Sequence, residues 1–226
     1  MVTGSAWRKN NRRELRHSLG RFLAIVAIVA LGVGFFAGLK VAQPAMLRTG
    51  SQYVQKTELF DYRFVSTLGL TQEDADYFAG LDGVDTARGS VYTEFLWQTA
   101  EDEEFVLIAH SLTEGINEPE LVAGRMPESA NQCLGDARYF TEADLGSSIQ
   151  VAAENDEDTL DLLAYDSYTL VGLAHSPCYL NFERGTSSIG SGSIAAFVLV
   201  PEAGFSFDAY YEIYLKLADA GEAYSD

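Results

Sequence analysis

Positive charge is scarce over most of this sequence. From Thr49 onward, the 226-residue chain holds seven basic residues against 32 acidic ones, which gives a net charge of −25. Nucleic-acid binding depends on a basic surface that displaces counterions from phosphates, so this class of partner is disfavoured. The chain is nevertheless 47% hydrophobic and 12% aromatic, which is too apolar for a disordered acidic tail.

Catalytic and ligand-binding motifs are also missing. The histidines and serines show no nucleophile-elbow pattern, and the Gly/Ser-rich segment Gly185–Ser193 lacks the Gly-Lys-Ser/Thr of a phosphate loop. The acidic clusters Glu101–Glu104 and Glu154–Asp158, the second with Asp161, lack the glycine of a calcium loop. We interpret both acidic clusters as solvated loop ends. The alternative is that they bind a cation. We predict no catalytic residue, no cofactor, no metal site and no enzymatic activity.

The first 48 residues have the opposite character. They hold eight basic residues and only Glu14 as an acid, a net charge of +7. The uncharged run Phe22–Leu39 follows most of these basic residues and extends about 27 Å as a helix, close to the ~30 Å core of a bilayer. The sequence therefore predicts a membrane-spanning helix over residues 22–47, with Lys40 snorkelling towards the headgroups.

The distribution of basic residues predicts the orientation. Because positive charge collects on the cytoplasmic side of a span, residues 1–21 are expected in the cytoplasm and residues 48–226 outside the cell membrane. Arg12–Arg21 fits a short amphipathic helix at the headgroups. A cleaved secretory signal and a buried core helix are the alternatives. The basic region is long for a signal peptide, and the flanking arginines oppose a core helix.

Three small residues recur every four positions within the span. Ala30, Gly34 and Gly38 form one row on a helix, and such a row lets a second membrane helix approach closely. The alternative is that Gly and Ala are simply frequent in membrane helices. The row predicts a homodimer or heterodimer within the lipid bilayer.

Two cysteines lie in the predicted external part. Cys133 and Cys178 permit one disulfide, which persists outside the cell, or two separate buried thiols. The spacing of His175 and Cys178 suits metal ligation, but two ligands do not make a site, so a structural histidine is the simpler interpretation.

The region after Arg48 is predicted to be an α+β domain. Strand-like runs alternate with few, short helices and show no regular βαβ rhythm. Thr71 begins a predicted helix that Gly83 ends, and Thr141–Gly146 has the same pattern in a single turn. The predicted strands are Tyr62–Thr67, Ser90–Thr99, Phe105–Ser111, Ser148–Ala153, Ser167–Ala174, Ile194–Val200 and Tyr211–Leu217.

Three segments together carry a resemblance to a known family. Arg13–Phe22, running into a span that ends Leu-Gly-Val-Gly-Phe-Phe, resembles the first membrane segment of FtsX-like permeases, the ABC transporter group that includes MacB. Glu120–Pro127 with Asn131–Cys133 resembles the Gly-Arg-x-Pro…Asn-Glu turn of the MacB-type periplasmic core domain. In this chain Gln132 replaces the common Glu, and Cys133 stands where an aliphatic residue is usual. Gly185–Gly192, followed by Phe197–Pro201 and Tyr211–Tyr214, is the third similarity.

The resemblance implies a permease subunit that pairs with a separate cytoplasmic ABC ATPase. Such subunits couple ATP hydrolysis to motion of an external domain, for export or for mechanical signalling. A permease needs several membrane helices, whereas the longest apolar run after the span is the seven residues Ile194–Val200. We therefore expect residues 48–226 to be an incomplete core domain from the N-terminal part of a longer permease. The alternative is a single-pass binding or sensor protein with an acidic ectodomain.

Overall fold

One long helix and a mixed sheet domain make up the described part of the chain. The computed structural model describes residues 19–99 and 102–219. The chain divides into two compact units, Met1–Ser51 and Gln52–Asp226. The predicted class, an N-terminal apolar helix followed by a mixed α/β domain, is confirmed.

Helix α1 runs from Leu19 to Lys56 and contains Pro44. Its 38 residues extend about 57 Å, so it exceeds the predicted span of residues 22–47 at both ends. None of its residues is buried, and it is the one helix of the described residues that is long and apolar enough to cross a membrane. Most of the predicted amphipathic segment, and the first 18 of residues 1–21, lie outside the described residues.

Ten strands and two short helices form the second unit. Helix α2 spans Gln72–Ala79 and helix α3 spans Glu157–Leu162. The strands are β1 (Tyr62–Leu70), β2 (Val84–Ser90), β3 (Tyr92–Gln98), β4 (Glu104–Ser111), β5 (Glu120–Gly124), β6 (Gln132–Asp136), β7 (Ser148–Val151), β8 (Ser167–His175), β9 (Ile194–Val200) and β10 (Tyr210–Leu217).

The strands form one small open sheet and one closed sheet. The small sheet has the order β1-β10-β2. The larger sheet has the order β5-β8-β6-β9-β4-β3-β7, and β7 also pairs with β8, so six of its strands close into a barrel that carries β5 at its side. The barrel interior is filled by side chains from all six strands, including Phe95, Leu107, Ile149, Leu170 and Val198.

Most of the predicted elements form where the sequence places them. Each of the seven predicted strands is present, although the predicted Ser90–Thr99 begins only at Tyr92. Thr71 caps α2 through a capping box with Asp74. The helix ends at Ala79 with Gly80 as its C-cap, so the predicted end at Gly83 was wrong by one turn. Thr141–Gly146 forms the expected single turn, as a 3₁₀-helix.

The sequence did not indicate β2, β5, β6 or α3. Helix α3 begins within the acidic cluster Glu154–Asp158, where the Asp156 carboxylate accepts from the Thr159 amide at 2.7 Å. That cluster is therefore a helix cap as well as a loop end. In the other acidic cluster, Asp102 and Glu103 are exposed at the turn between β3 and β4, as predicted, and Glu101 lies outside the described residues.

The Gly-Arg-Met-Pro turn, residues 124–127, begins at the end of β5, where this strand pairs with β8. Gly124 pairs with Gly172 and has a φ of +75°, a conformation that favours glycine. A Cβ at Gly124 would lie 2.4 Å from the Val171 carbonyl oxygen. The Arg125 guanidinium donates to Gln132 Oε1 at 3.1 Å, and the same oxygen accepts from the Glu128 amide at 2.9 Å.

We predict that Gly124→Ala lowers the free energy of unfolding by about 2 kcal/mol more than Gly115→Ala does. Both glycines have positive φ, but a Cβ at Gly115 would meet nothing within 4 Å. Urea unfolding of the two variants measures the difference, which isolates the backbone clash. Equal losses of stability would contradict the close approach of β5 to β8.

Candidate functional site at the end of helix α1

The end of helix α1 turns sharply before the chain enters β1. The Thr57 amide and hydroxyl both donate to the Tyr53 carbonyl, at 3.0 and 2.8 Å. The Leu59 amide donates to the Val54 carbonyl, and Glu58 has a φ of +48°. These bonds satisfy carbonyl groups that a helix end otherwise leaves without partners.

A loop before β5 holds this turn through backbone hydrogen bonds. The Asn117 amide donates to the Glu58 carbonyl at 2.9 Å, and the Glu118 amide donates to the Thr57 carbonyl at 2.8 Å. The Asn117 side-chain oxygen accepts from the Phe60 amide at 3.0 Å. Asn117 itself has a φ of +55°, which asparagine tolerates better than most residues. We call residues 52–61 with residues 117–120 the joint.

Charged side chains tie the joint to both sheets. Lys56 Nζ lies 2.6 Å from Glu120 at the start of β5, and Lys216 Nζ of β10 lies 2.9 Å from Glu58. The hydrogen bond from Lys56 holds the pKa of the Glu120 carboxyl below its usual range. Exposed ion pairs of this kind each contribute little to the free energy of unfolding. Their effect here is to position the end of α1 beside β5 and β10.

Asp61 adds a pair of bonds to the small sheet. Its amide donates to the Leu215 carbonyl at 2.8 Å, and its carboxylate accepts from the Leu217 amide at 2.8 Å. The chain that leaves helix α1 is therefore bonded to β10 before β1 begins. The joint connects one helix end to the barrel through β5 and to the small sheet through β10.

A small polar cavity lies beside the joint. It measures about 30 Å³, and its lining includes Ser90, His110, Ser111, Asn117, Ser176 and Tyr214. The Asn117 side-chain nitrogen is buried and has no hydrogen-bond partner among the described residues. The volume suits a water molecule, and the lining offers hydroxyl partners that a bound water needs.

A buried ionic network lies on the β10 side of this cavity. Glu212 is fully buried; it accepts from Arg63 Nε at 2.5 Å and from the Tyr214 hydroxyl at 2.5 Å. Burial, with the Glu212 charge as a second cause, raises the pKa of the Tyr214 hydroxyl. A buried carboxylate is costly unless it is paired, so Glu212 requires both partners, and its contact with Arg63 joins β1 to β10.

A second buried ion pair holds the long segment that precedes β9. Arg184 contacts both carboxylate oxygens of Asp136, with Nε at 2.5 Å and Nη2 at 3.0 Å, and both side chains are almost fully buried. Tyr179 of the same segment stacks on Phe197 of β9 with ring centroids 4.9 Å apart. This packing covers an outer face of the barrel.

The sequence-predicted residues are dispersed over the structure. Ala30, Gly34 and Gly38 lie in α1, where a Cβ on either glycine would meet nothing within 4 Å. Cys133 is buried in the barrel interior, whereas Cys178 is exposed, and the structure describes both as free cysteines.

The remaining sequence candidates lie at the end of β8 and in the segment before β9. His175 ends β8 and lies in no metal cluster of three or more ligands within residues 19–99 and 102–219. Gly185–Ser193 is an ordered loop closed by backbone bonds such as Ser187 to Gly192, and the Ser187 hydroxyl donates to Glu94 at 2.5 Å. It leads directly into β9.

Sequence reasoning missed the joint. Lys56 and Glu120 are 64 residues apart, and Asp61 and Leu217 are 156 residues apart, so local patterns carry no sign of these pairings. The local signal was the pair Gly115 and Asn117, because both residue types tolerate the positive φ that each of them has here.

We predict that Asn117→Gly frees the Phe60 amide for hydrogen exchange. Glycine keeps the backbone conformation and the two backbone bonds of the loop but removes the side-chain acceptor. The Phe60 amide is expected to exchange about tenfold faster, as measured by hydrogen–deuterium exchange with mass spectrometry. Asn117→Asp keeps that acceptor oxygen and serves as the control. Unchanged protection of Phe60 in Asn117→Gly would refute the side-chain clamp.

We also predict a pH dependence that originates at His110. Burial, with Arg63 as a second cause, lowers the pKa of His110 to about 4, and its Nε2 lies 2.6 Å from the Tyr179 hydroxyl. The unfolded chain, with a pKa near 6.5, binds a proton that the folded chain does not, so stability falls as the pH drops from about 6.5 to 4. The loss reaches up to about 3 kcal/mol.

Replacing the histidine by glutamine removes the titrating group and keeps a polar side chain. His110→Gln should therefore flatten the decline between pH 6.5 and 4 relative to the wild type, measured by urea unfolding at a series of pH values. Groups other than His110 titrate equally in the wild type and in His110→Gln. If the two curves of unfolding free energy against pH run parallel, the decline comes from those other groups and not from His110.

Comparisons with known proteins found structural neighbours only. No family model matches the chain, and no curated protein matches it. The extracellular domain of the noncanonic ABC-type transporter YknZ from Gram-positive bacteria is similar over 70% of this chain and 83% of its own, at 12% identity and a TM-score of 0.47. The periplasmic region of MacB from Actinobacillus actinomycetemcomitans is similar over 70% of this chain and 68% of its own, at 11% identity and a TM-score of 0.41.

Proposed function

We propose that this chain is part of the membrane subunit of an FtsX-like ABC transporter, in which helix α1 crosses the cell membrane and an external domain moves with it. The observation that carries the proposal is the joint. A helix of membrane-spanning length ends in a turn whose backbone is bonded to residues 117 and 118, and whose charges pair with β5 and β10. Displacement of the last helical turn is therefore transmitted directly to both sheets.

The basic residues before the span support an orientation with the N-terminus in the cytoplasm and the domain outside. An acidic, foldable domain with a net charge of −25 from Thr49 onward suits the outer side of a membrane, where positive charge is not needed. In this arrangement the chain hydrolyses nothing itself. A cytoplasmic ATPase subunit supplies the energy, and the joint passes the resulting helix motion to the external domain.

The row Ala30, Gly34 and Gly38 supports a membrane partner for the span, either a second copy or another permease helix. The row lies on one face of an exposed helix, and small residues there permit close approach. Association in lipid depends on such packing because the hydrophobic effect gives no preference for protein over lipid tails.

Copurification tests this proposal. The tagged chain, extracted in mild detergent from membranes of its own organism, is expected to recover a protein that hydrolyses ATP. Residues 52–226 alone form the control, because that compact unit carries its own core but lacks most of α1. Recovery of ATP hydrolysis with the whole chain and not with the control supports the permease.

The opposite result favours the single-pass binding or sensor protein. In that case the whole chain recovers no ATP hydrolysis, and residues 52–226 bind a soluble ligand with the same affinity as the whole chain. This outcome would overturn the transporter proposal, since a permease subunit has no function without its ATPase.

A further inference from the structure

A larger cavity lies on the β5 side of the joint, against the outer face of the barrel. It measures about 250 Å³. Its lining includes residues from four elements, namely Tyr53 of α1, Glu120 of β5, His175 of β8 and Phe197 of β9. Cavities that bind drug-sized ligands measure roughly 300–1,000 Å³, so this cavity suits a somewhat smaller molecule.

Positive charge collects at this cavity although the domain is acidic. After the first 48 residues, the chain holds only seven basic residues against 32 acidic ones. Arg138 and Arg184, two of the seven, line the cavity. A third, Lys56, lies 2.6 Å from Glu120, so the carboxylate in the cavity wall is already paired. The cavity therefore attracts anions in a domain whose net charge repels them.

Arg138 is the cation that has no acidic partner. Within residues 19–99 and 102–219, its guanidinium makes no ion pair. The guanidinium lies over the Phe182 ring, 4.3 Å from the centroid, and the Arg138 amide donates to the Asp136 carboxylate at 3.0 Å. Stacking on a ring leaves the N–H groups at the edge of a guanidinium available. Two such N–H groups match the two oxygens of a carboxylate.

Arg184 offers further donors from a buried position. Its Nε and Nη2 donate to Asp136 at 2.5 and 3.0 Å, and its Nη1 donates to the Asn181 carbonyl. A guanidinium has five N–H groups, so two remain without an acceptor in the described part of the chain. The Arg184 side chain is only 4% exposed, and hydrogen bonds to a charged group are stronger where water is excluded.

Apolar side chains form much of the remaining wall. Tyr179 stacks on Phe197 with ring planes inclined by 8°, and Arg184 lies 5.5 Å from the centroid of each ring. Tyr53 lines the side that belongs to α1, and Leu180, which is 64% exposed, lies where the cavity meets solvent. An apolar lining with a few convergent polar groups is typical of small-molecule sites.

We propose that this cavity binds a small aromatic carboxylate. Its carboxylate group lies against Arg138 and the remaining donors of Arg184, and its ring packs on the apolar wall. Tyr53 and Glu120 belong both to the cavity and to the joint, so the bound anion lies between the end of α1 and β5. The proposal does not rest on the transport function proposed above.

Isothermal titration calorimetry of the whole chain in a neutral detergent tests the proposal, with benzoate as the probe. Benzoate carries one carboxylate on a flat ring, and benzamide has nearly the same shape without the charge. Benzoate is expected to bind at one site with at least tenfold higher affinity than benzamide, because charge-assisted hydrogen bonds are the stronger ones. Micelles without protein give the blank for partitioning of the probes.

Removing the unpaired charge tests whether the arginine holds the anion. Arg138→Gln should weaken benzoate binding at least tenfold and leave benzamide binding unchanged, because Arg138 is exposed and makes no ion pair whose loss would disturb the fold. Arg88→Gln is the matched control, since Arg88 is also exposed but belongs to β2 and does not line the cavity. Its affinity for benzoate should equal that of the wild type.

A second substitution tests the location from the apolar side. Leu180→Asp places a negative charge where the cavity meets solvent and should weaken benzoate binding at least tenfold. Leu68→Asp is its control, because Leu68 of β1 is 96% exposed and lies outside the cavity.

Three outcomes would overturn the proposal. The first is no heat of benzoate binding to the wild type, and the second is equal affinity for benzoate and benzamide. The third is a benzoate affinity of Arg138→Gln that equals that of Arg88→Gln. None of these readouts involves an ATPase, so the result is independent of the copurification experiment.

Discussion

The hydrogen bonds that Asn117 and Glu118 make with the backbone at Thr57, Glu58 and Phe60 fix the point where the long helix becomes a folded domain. These groups are partly or fully buried, so leaving any of them without a partner costs on the order of 1–3 kcal/mol. Backbone bonds also have little freedom to lengthen or rotate. The joint is therefore held mainly by backbone hydrogen bonds, and the exposed ion pairs add little to its stability.

The two sheets attached to this joint differ in how they are completed. The barrel closes on itself through β7 and β8, so each of its six strands has two neighbours. Within residues 19–99 and 102–219, β10 is the central strand of the small sheet, and the buried Arg63–Glu212–Tyr214 network ties β1 to it. The barrel is therefore closed by backbone pairing within the described residues, whereas the small sheet keeps an edge at β1 and an edge at β2.

Sequence patterns predicted the elements whose own residues determine them. Helix α1 follows from an uncharged run, and β9 follows from seven consecutive apolar residues. The turn at Gly124 was predicted from residue types, and its positive φ gives the physical reason for glycine. β2 reads Val-Asp-Thr-Ala-Arg-Gly-Ser and has no clear alternation, so only its pairing with β10 makes it a strand.

The joint could not be predicted in the same way, because it is a product of long-range pairing. Lys56, Glu58 and Asp61 look like ordinary solvated charges in the sequence, and their partners arrive from β5 and β10. The role of Asn117 could not be predicted for a different reason. A single asparagine between turn residues gives no sign that its side chain accepts a hydrogen bond from an amide 57 residues away. The sequence thus predicts helix α1 and the domain, but not the atoms of the joint that connect them.

The position of the joint links the open sheet edge to the membrane helix. Lys216 pairs with Glu58, and the Leu217 amide donates to Asp61. Both residues belong to β10, the strand that pairs with β1. β1 restrains β10 through the ladder between them, and β10 in turn restrains the turn that follows α1. The β1 edge and the turn that follows α1 are therefore connected through β10, the strand that pairs with β1 and bonds to Asp61.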